Sequence, residues 1–272
     1  LLKKRKAPAI LTPHPGEFAR LFGGRIPNTG LERKKRALQT AKKFGKTEGE
    51  VEQIITDSKS TLARVRTGRL RPHLDDKVLV DWNGLMISSL AFGSRVLRDS
   101  RYRDAAKRAA EFLLKTLKTK EGRLMHRYRE GEVSIKGFLE DYAFLIHGLF
   151  DLYEATFDPR YLEEAKFLSG EMVRLFWDGS GGGFFFTAPD AEKLISRTKE
   201  FYDGAIPSGN SVALLSLLRV GRLTMDREFE RTAEETFGAV SARISASPSA
   251  FCQMMIALDF ALGPSREIVI AG

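Results

Sequence analysis

A single cysteine, Cys252, stands among the 272 residues. An internal disulfide is therefore impossible, and no CxxC pair exists for metal or dithiol chemistry, so the chain is expected to work in a reducing, cytoplasmic compartment and to depend on its core for stability. No run of 18 apolar residues occurs, and the basic start Leu1-Leu2-Lys3-Lys4-Arg5-Lys6 has no apolar stretch behind it, which argues against a membrane span or a secretion signal. The glycines never form GxGxxG ahead of a helix, so a dinucleotide site is not indicated and no cofactor or metal is expected. Acidic residues are scarce at one end only. Residues 1–47 hold 13 Lys+Arg against 2 Asp+Glu, whereas the remainder carries a net charge of −2. A nucleic-acid groove would place its basic excess on the folded body, so the overall +9 reads as a solvated tail or helix face. With 43% apolar residues, a sizeable core remains affordable.

What is present is a repeat. Three times a polar-aromatic cluster is followed by an apolar helix, a turn, an acidic or basic residue with an aromatic, and a second helix with alanine four residues on. The copies begin at Asp81-Trp82-Asn83-Gly84, Glu140-Asp141-Tyr142 and Ser208-Gly209-Asn210-Ser211. Their second helices open at Arg101-Tyr102, Arg160-Tyr161 and Glu228-Phe229, with Ala106, Ala165 and Ala233 following. The first helices (85–97, 142–153 and 211–220) are apolar nearly all round and read as buried; their partners (103–118, 160–175 and 227–240) interleave charge and read as outer helices. Alternating inner and outer helices with short turns predict a mainly α fold, an incomplete (α/α) six-hairpin toroid with short β-hairpin insertions. One insertion is expected around Leu124 to Tyr128 and another in the glycine-aromatic run Trp177 to Thr187.

Stacked repeats gather equivalent residues on one face. Each polar word precedes an inner helix, so Asp81, Asp141 and Ser208 are expected at N-cap positions. Capping needs one small polar residue per helix, yet carboxylates, aromatics and amides cluster here. Around one open end the repeat places Asp75, Asp76, Lys77, Trp82, Asn83, Tyr142, Lys199, Glu200, Tyr202, Ser208 and Asn210 as substrate-binding candidates. Aromatic faces with carboxylates and amides suit a small-molecule sugar. Glu140 or Asp141 paired with Asp203 is the expected catalytic set, as two carboxylates facing each other can serve as acid and base.

Two resemblances follow from longer words. ILTPHPGEFARLFG and LERKKRALQTAKKFGKT, within residues 1–47, resemble carbohydrate-kinase-like NAD(P)H-hydrate dehydratases, in which the TPHPGE turn lies beside the nucleotide site. That family's later Gly-rich phosphate loop and catalytic Asp are not found, and the pattern is lost near Thr47, so residues 1–47 are expected to be an inactive fragment joined to a different sequence. By residue type alone, His14 and Glu17 on that turn suit a phosphate or metal, or merely a loop histidine and a helix start. From residue 48 to 272, Arg66-x-x-Arg69-x-x-Pro72-x-x-Asp75-Asp76-Lys77-Val78-Leu79, Asp81 to Ile87, Gly137 to Tyr142, Tyr153-Glu154-Ala155-Thr156 and Lys199 to Ser211 resemble the spermatogenesis-associated, thioredoxin-domain family. That resemblance implies a helical toroid related to N-acylglucosamine 2-epimerases, here with three to four of six hairpins, and a thioredoxin-like domain upstream in full-length relatives.

The expected function is carbohydrate binding or processing, of epimerase or glycosidase type. Epimerase chemistry needs a base beside a carbonyl, and the related epimerases use histidines. His14 belongs to the other fragment, His73 precedes the first repeat, His147 lies in an apolar helix and reads as core, and His126 sits on the expected hairpin within reach of the opening. The alternatives are a non-catalytic toroid that presents or regulates a thioredoxin-like partner domain, and a dehydratase remnant. An open toroid edge is also expected to expose apolar surface and favour self-association.

Overall fold

The computed structural model describes Lys35, residues 45–192 and residues 195–264. His14, Glu17 and nearly all of the dehydratase-like segment lie outside these residues. The chain divides into two compact units, Leu1–Asp75 and Asp76–Gly272. In the first, helix α1 (Glu48–Thr67) begins where the dehydratase pattern is lost. Thr47 accepts the Glu50 N–H while the Glu50 carboxylate accepts the Thr47 N–H, a reciprocal cap that starts the helix. No α1 residue is buried.

The second unit carries the repeats. Helices α2 (Val80–Leu97) and α3 (Ser100–Thr116), α4 (Leu139–Thr156) and α5 (Pro159–Phe176), and α6 (Gly209–Thr224) and α7 (Arg227–Ala246) form three hairpins, and α8 (Cys252–Leu262) packs on α6. The inner helices α2, α4 and α6 lie side by side, each against its own outer partner, as the apolar pattern predicts. Twelve residues are buried in α4 and twelve in α6, against five in α2, because α2 has a neighbour on one flank only. Trp82, Met86, Phe92, Val96 and Leu97 are left exposed on it. The repeated alanines Ala106, Ala165 and Ala233 are wholly buried, where a small side chain lets each outer helix approach the core.

Two contacts fix the inner layer. Gly84 of α2 and Gly148 of α4 face each other so closely that a Cβ on Gly84 would lie 2.5 Å from the Phe144 carbonyl carbon, and one on Gly148 would lie 2.5 Å from the Gly84 oxygen. Farther along, Ser88 donates to Asp151, Arg219 pairs with Asp151 at 2.7 Å and with Glu154 at 3.1 Å, and Arg95 pairs with Glu154. Two arginines balance two carboxylates, so this mostly buried network joins all three inner helices without an unpaired charge. His147 beside Asp151 is pushed below its ordinary pKa by burial and stays neutral, in keeping with a core histidine.

Between α3 and α4 runs a hairpin of β2 (Met125–Arg129) and β3 (Glu132–Lys136), turned by Glu130 and Gly131 at φ 50 and 88. A short strand β1 (Val78–Leu79) pairs antiparallel with β2, Val78 opposite Tyr128. The glycine-aromatic run departs from expectation. It makes one bridge, Trp177 to Phe184, with Gly182 and Gly183 at φ 67 and 76, and no strand. The bridge does not lengthen because α5 runs to Phe176, so the partner segment preceding Trp177 is helical; the Asn210 side chain takes the Phe184 N–H and carbonyl on the opposite edge.

Candidate functional site

The N-terminal ends of α2 and α4 meet under the β2–β3 hairpin. Asp141, fully buried, is the centre. One oxygen accepts the Asp81 N–H at 3.1 Å, the other accepts the Phe138 N–H at 2.7 Å, and His126 Nδ1 lies 3.0 Å from both. The expected capping geometry is thus corrected for two of the three repeats. Leu79 and Phe138 occupy the N-cap positions of α2 and α4, and Asp81 and Asp141 lie inside the first turn. Ser208 is the N-cap of α6 and accepts the Ser211 N–H at 3.1 Å.

Glu140 directly precedes Asp141 in sequence and is half-buried, with its Cγ 3.0 Å from where a Cβ on Gly209 would stand. No hydrogen bond reaches its carboxyl among the described residues. Burial, then the charges of Asp81, Asp141 and Glu200, push its pKa up to about 7. Burial raises Asp141 to about 6 against the opposing pull of His126, and burial raises Asp81 too. His126 is shifted upward, chiefly by its hydrogen bond to Asp141, despite partial burial. Three interior carboxyls therefore share one imidazole, and the group holds protons near neutrality that exposed acids would have lost. His126 Nε2 stays without a partner among the described residues, while Phe138 packs edge-on against the ring at 5.0 Å.

Asp81, His126 and Asp141 each offer a ligand atom within 4.8 Å of the others, the only such trio among the described residues. Both Asp141 oxygens already serve backbone N–H groups, so a cation there would compete with the start of α4.

The remaining candidates separate. Asp203 spends one oxygen on the Ser208 N–H and the other on the N–H groups of Gln253 and Met254, where it holds the start of α8. Tyr142, a candidate for sugar stacking, is fully buried against Phe176 and accepts the Leu124 N–H, so its ring faces the core. Asn210 is buried and fastens Phe184 and the Glu200 carbonyl. Lys199 pairs with Asp178 and lies over the Phe185 ring. The Glu200 carboxylate accepts the Phe201 and Tyr202 N–H groups, and Asn83 donates to the Leu79 carbonyl. Asp75, Asp76, Lys77, Trp82 and Tyr202 are exposed, Asp76 pairing with Arg129 at 2.7 Å. Asp81 was legible only as a cap, and His126 only as a residue within reach. The available signal was order along the chain: β3 feeds directly into α4, so the strand beside it must pass the α4 N-terminus.

No protein-family model matches the chain. Over 243 residues it is 36% identical to spermatogenesis-associated protein 20 of Homo sapiens and 34% identical to that of Rattus norvegicus, in each case covering 86% of this chain and 31% of the relative. The chain thus spans about a third of the length of the curated relatives it matches. Among solved structures it resembles a cellobiose 2-epimerase from Spirochaeta thermophila (TM-score 0.53, 16% identity, 63% of this chain and 45% of that one). It also resembles a GH76 α-mannanase from Bacteroides thetaiotaomicron (TM-score 0.50, 20% identity, 63% and 47%). These likenesses show the fold, an (α/α) toroid of which the three hairpins are an arc.

Proposed function

We propose that the chain, homologous over most of its length to spermatogenesis-associated protein 20, processes a sugar by acid–base chemistry at the mouth of α4. The observation that carries this reading is the juxtaposition of an unbonded, half-buried Glu140 with a histidine oriented by a buried aspartate. A carboxyl with a pKa of about 7 can take or give a proton at working pH. In the imidazolium form, which its upward-shifted pKa favours, His126 donates Nδ1–H to Asp141 and presents Nε2–H to an oxygen on which negative charge develops. Together these groups suit removal and return of a proton at the carbon beside a sugar carbonyl, as in epimerisation. Glu140 is the base, and His126 stabilises the enolate oxygen. Hydrolysis by two carboxylates is less well supported, because Asp203 has both oxygens bound to backbone N–H groups. The solved structures with this fold include a cellobiose 2-epimerase, which agrees with the reading.

The test is exchange in heavy water. Reducing monosaccharides, N-acyl hexosamines and disaccharides are incubated with the protein, and deuterium at the carbon beside the carbonyl is followed by proton NMR. Exchange with one sugar class, abolished in Glu140→Gln and His126→Asn, is the expected result. Binding without exchange in any class would leave a sugar-binding toroid, and neither binding nor exchange would defeat the proposal.

A further inference from the structure

Beyond Phe138, on the side away from His126, lies a cavity of about 600 Å³ bounded by Ile135, Lys136, Phe138, Phe186, Asp190 and Glu192 among others. Phe138 and Phe186 stack nearly parallel, with centroids 4.9 Å apart and planes at 9°, and form a flat apolar wall. Phe138 also touches the His126 ring, and the Leu139 N–H donates to the Phe186 carbonyl, so the wall is built onto the start of α4 beside Glu140. At the rim Lys136 Nζ pairs with Asp190 at 2.8 Å and Asp190 with Arg123 at 3.0 Å, while the Glu192 carboxylate is exposed and has no hydrogen bond among the described residues. These pairs clamp β3 to the 187–191 segment and leave the apolar wall as what the cavity offers a guest.

Ile135 adds an independent observation. Its φ is 68, a left-handed conformation that is costly for a β-branched residue. No packing offsets that cost, because the side chain stays 47% exposed at the cavity edge. His126 and Ile135 stand opposite in the hairpin register, and theirs is the one pairing omitted between Met125–Lys136 and Arg127–Ser134. The strained apolar residue thus interrupts the ladder at the position of the site histidine.

We propose that this cavity is a subsite for an aryl group, carried on a hydroxyl other than the anomeric one by a reducing sugar whose carbonyl end is held at Glu140. The identity of the attached group rests on the sugar reading above; the aryl affinity of the cavity does not. A second sugar ring fits less well, since Glu192 alone would be left to bind its several hydroxyls while Lys136, Asp190 and Arg123 hold one another.

The experiment uses the full chain and three probes, p-nitrophenol, 6-O-benzoyl-D-glucose and methyl cellobioside, by saturation-transfer NMR and calorimetry. p-Nitrophenol is expected to bind, about tenfold more weakly in Phe186→Ala and unchanged in Glu140→Gln. Ile135→Gly should weaken it too while raising the melting midpoint by about 2 °C, because glycine tolerates the left-handed backbone. That opposite movement is one a purely structural residue would not give, and it keeps the test decisive if Phe186→Ala fails to fold. No transfer from p-nitrophenol, or transfer indifferent to both wall variants, would overturn the inference. So would wall variants that weaken methyl cellobioside and spare p-nitrophenol. If p-nitrophenol binds as described and no sugar does, the cavity stands and the sugar reading falls.

Discussion

Glu140 is held among acids. Its folded pKa of about 7 lies above the ordinary glutamate value of 4.5, so the native state binds a proton more tightly than the unfolded chain does. The associated stability is fully present below pH 4.5 and is lost as the pH rises through 7. Glu140→Gln should therefore raise the melting midpoint at pH 8 and change little at pH 4. The gain is about 1–2 kcal/mol once screening of this half-exposed group is allowed for, and calorimetry from pH 4 to 8 would measure it. At Asp141, replacement by Asn removes the charge beside His126 and gives up one backbone N–H acceptor, for a loss of about 2–3 kcal/mol. The same change should lower the His126 pKa in an NMR titration, since the Asp141 hydrogen bond is the main cause of its upward shift. Carboxylate-rich words made Glu140 and Asp141 visible in sequence. Asp203 was visible by the same rule, but an acid that holds a helix start and an acid that is free look alike until the backbone around them is placed.

At the scale of elements, the inner helices were legible as runs apolar on every side, and the outer ones as their charged partners. Their starting residues were less so, because Leu79 and Phe138 have no capping side chain and the eye moves to the nearest aspartate. Strand β1 is two residues long and gave no period to read, and the Phe184 segment is limited to one bridge because α5 runs on to Phe176, just before Trp177. Glycine in a helix is ordinarily a weakness, and here its meaning depends on position. Gly148→Ala should cost about 3 kcal/mol, since its Cβ would meet the α2 backbone. Gly93→Ala, with nothing within 4 Å, should instead stabilise by about 1 kcal/mol. Chemical denaturation of the two variants side by side would separate these effects.

Across the whole molecule, the repeat leaves an open edge. Trp82, Met86, Val96 and Leu97 present apolar surface along α2, and Met255, Ile256 and Leu262 do so on α8. Concentration-dependent association is expected on light scattering, and Val96→Lys should reduce it without lowering the melting midpoint. A monomer at all concentrations would show that neither edge is adhesive. No described helix is long and apolar enough to cross a membrane, so this surface is not explained by a lipid-spanning segment.

The contact between Gly84 and Gly148 has an evolutionary consequence. Where two helices meet through side chains, drift on one face can be absorbed by compensating drift on the other. Backbone against backbone leaves nothing to compensate with, because any added carbon on either helix collides with atoms that every sequence possesses. Asp81 and Asp141 ride on those helices, three and seven residues before the touching glycines. Lineages can therefore remodel the outer helices or the hairpin, but the first two inner helices descend as one indivisible heirloom, and their site is passed on with them.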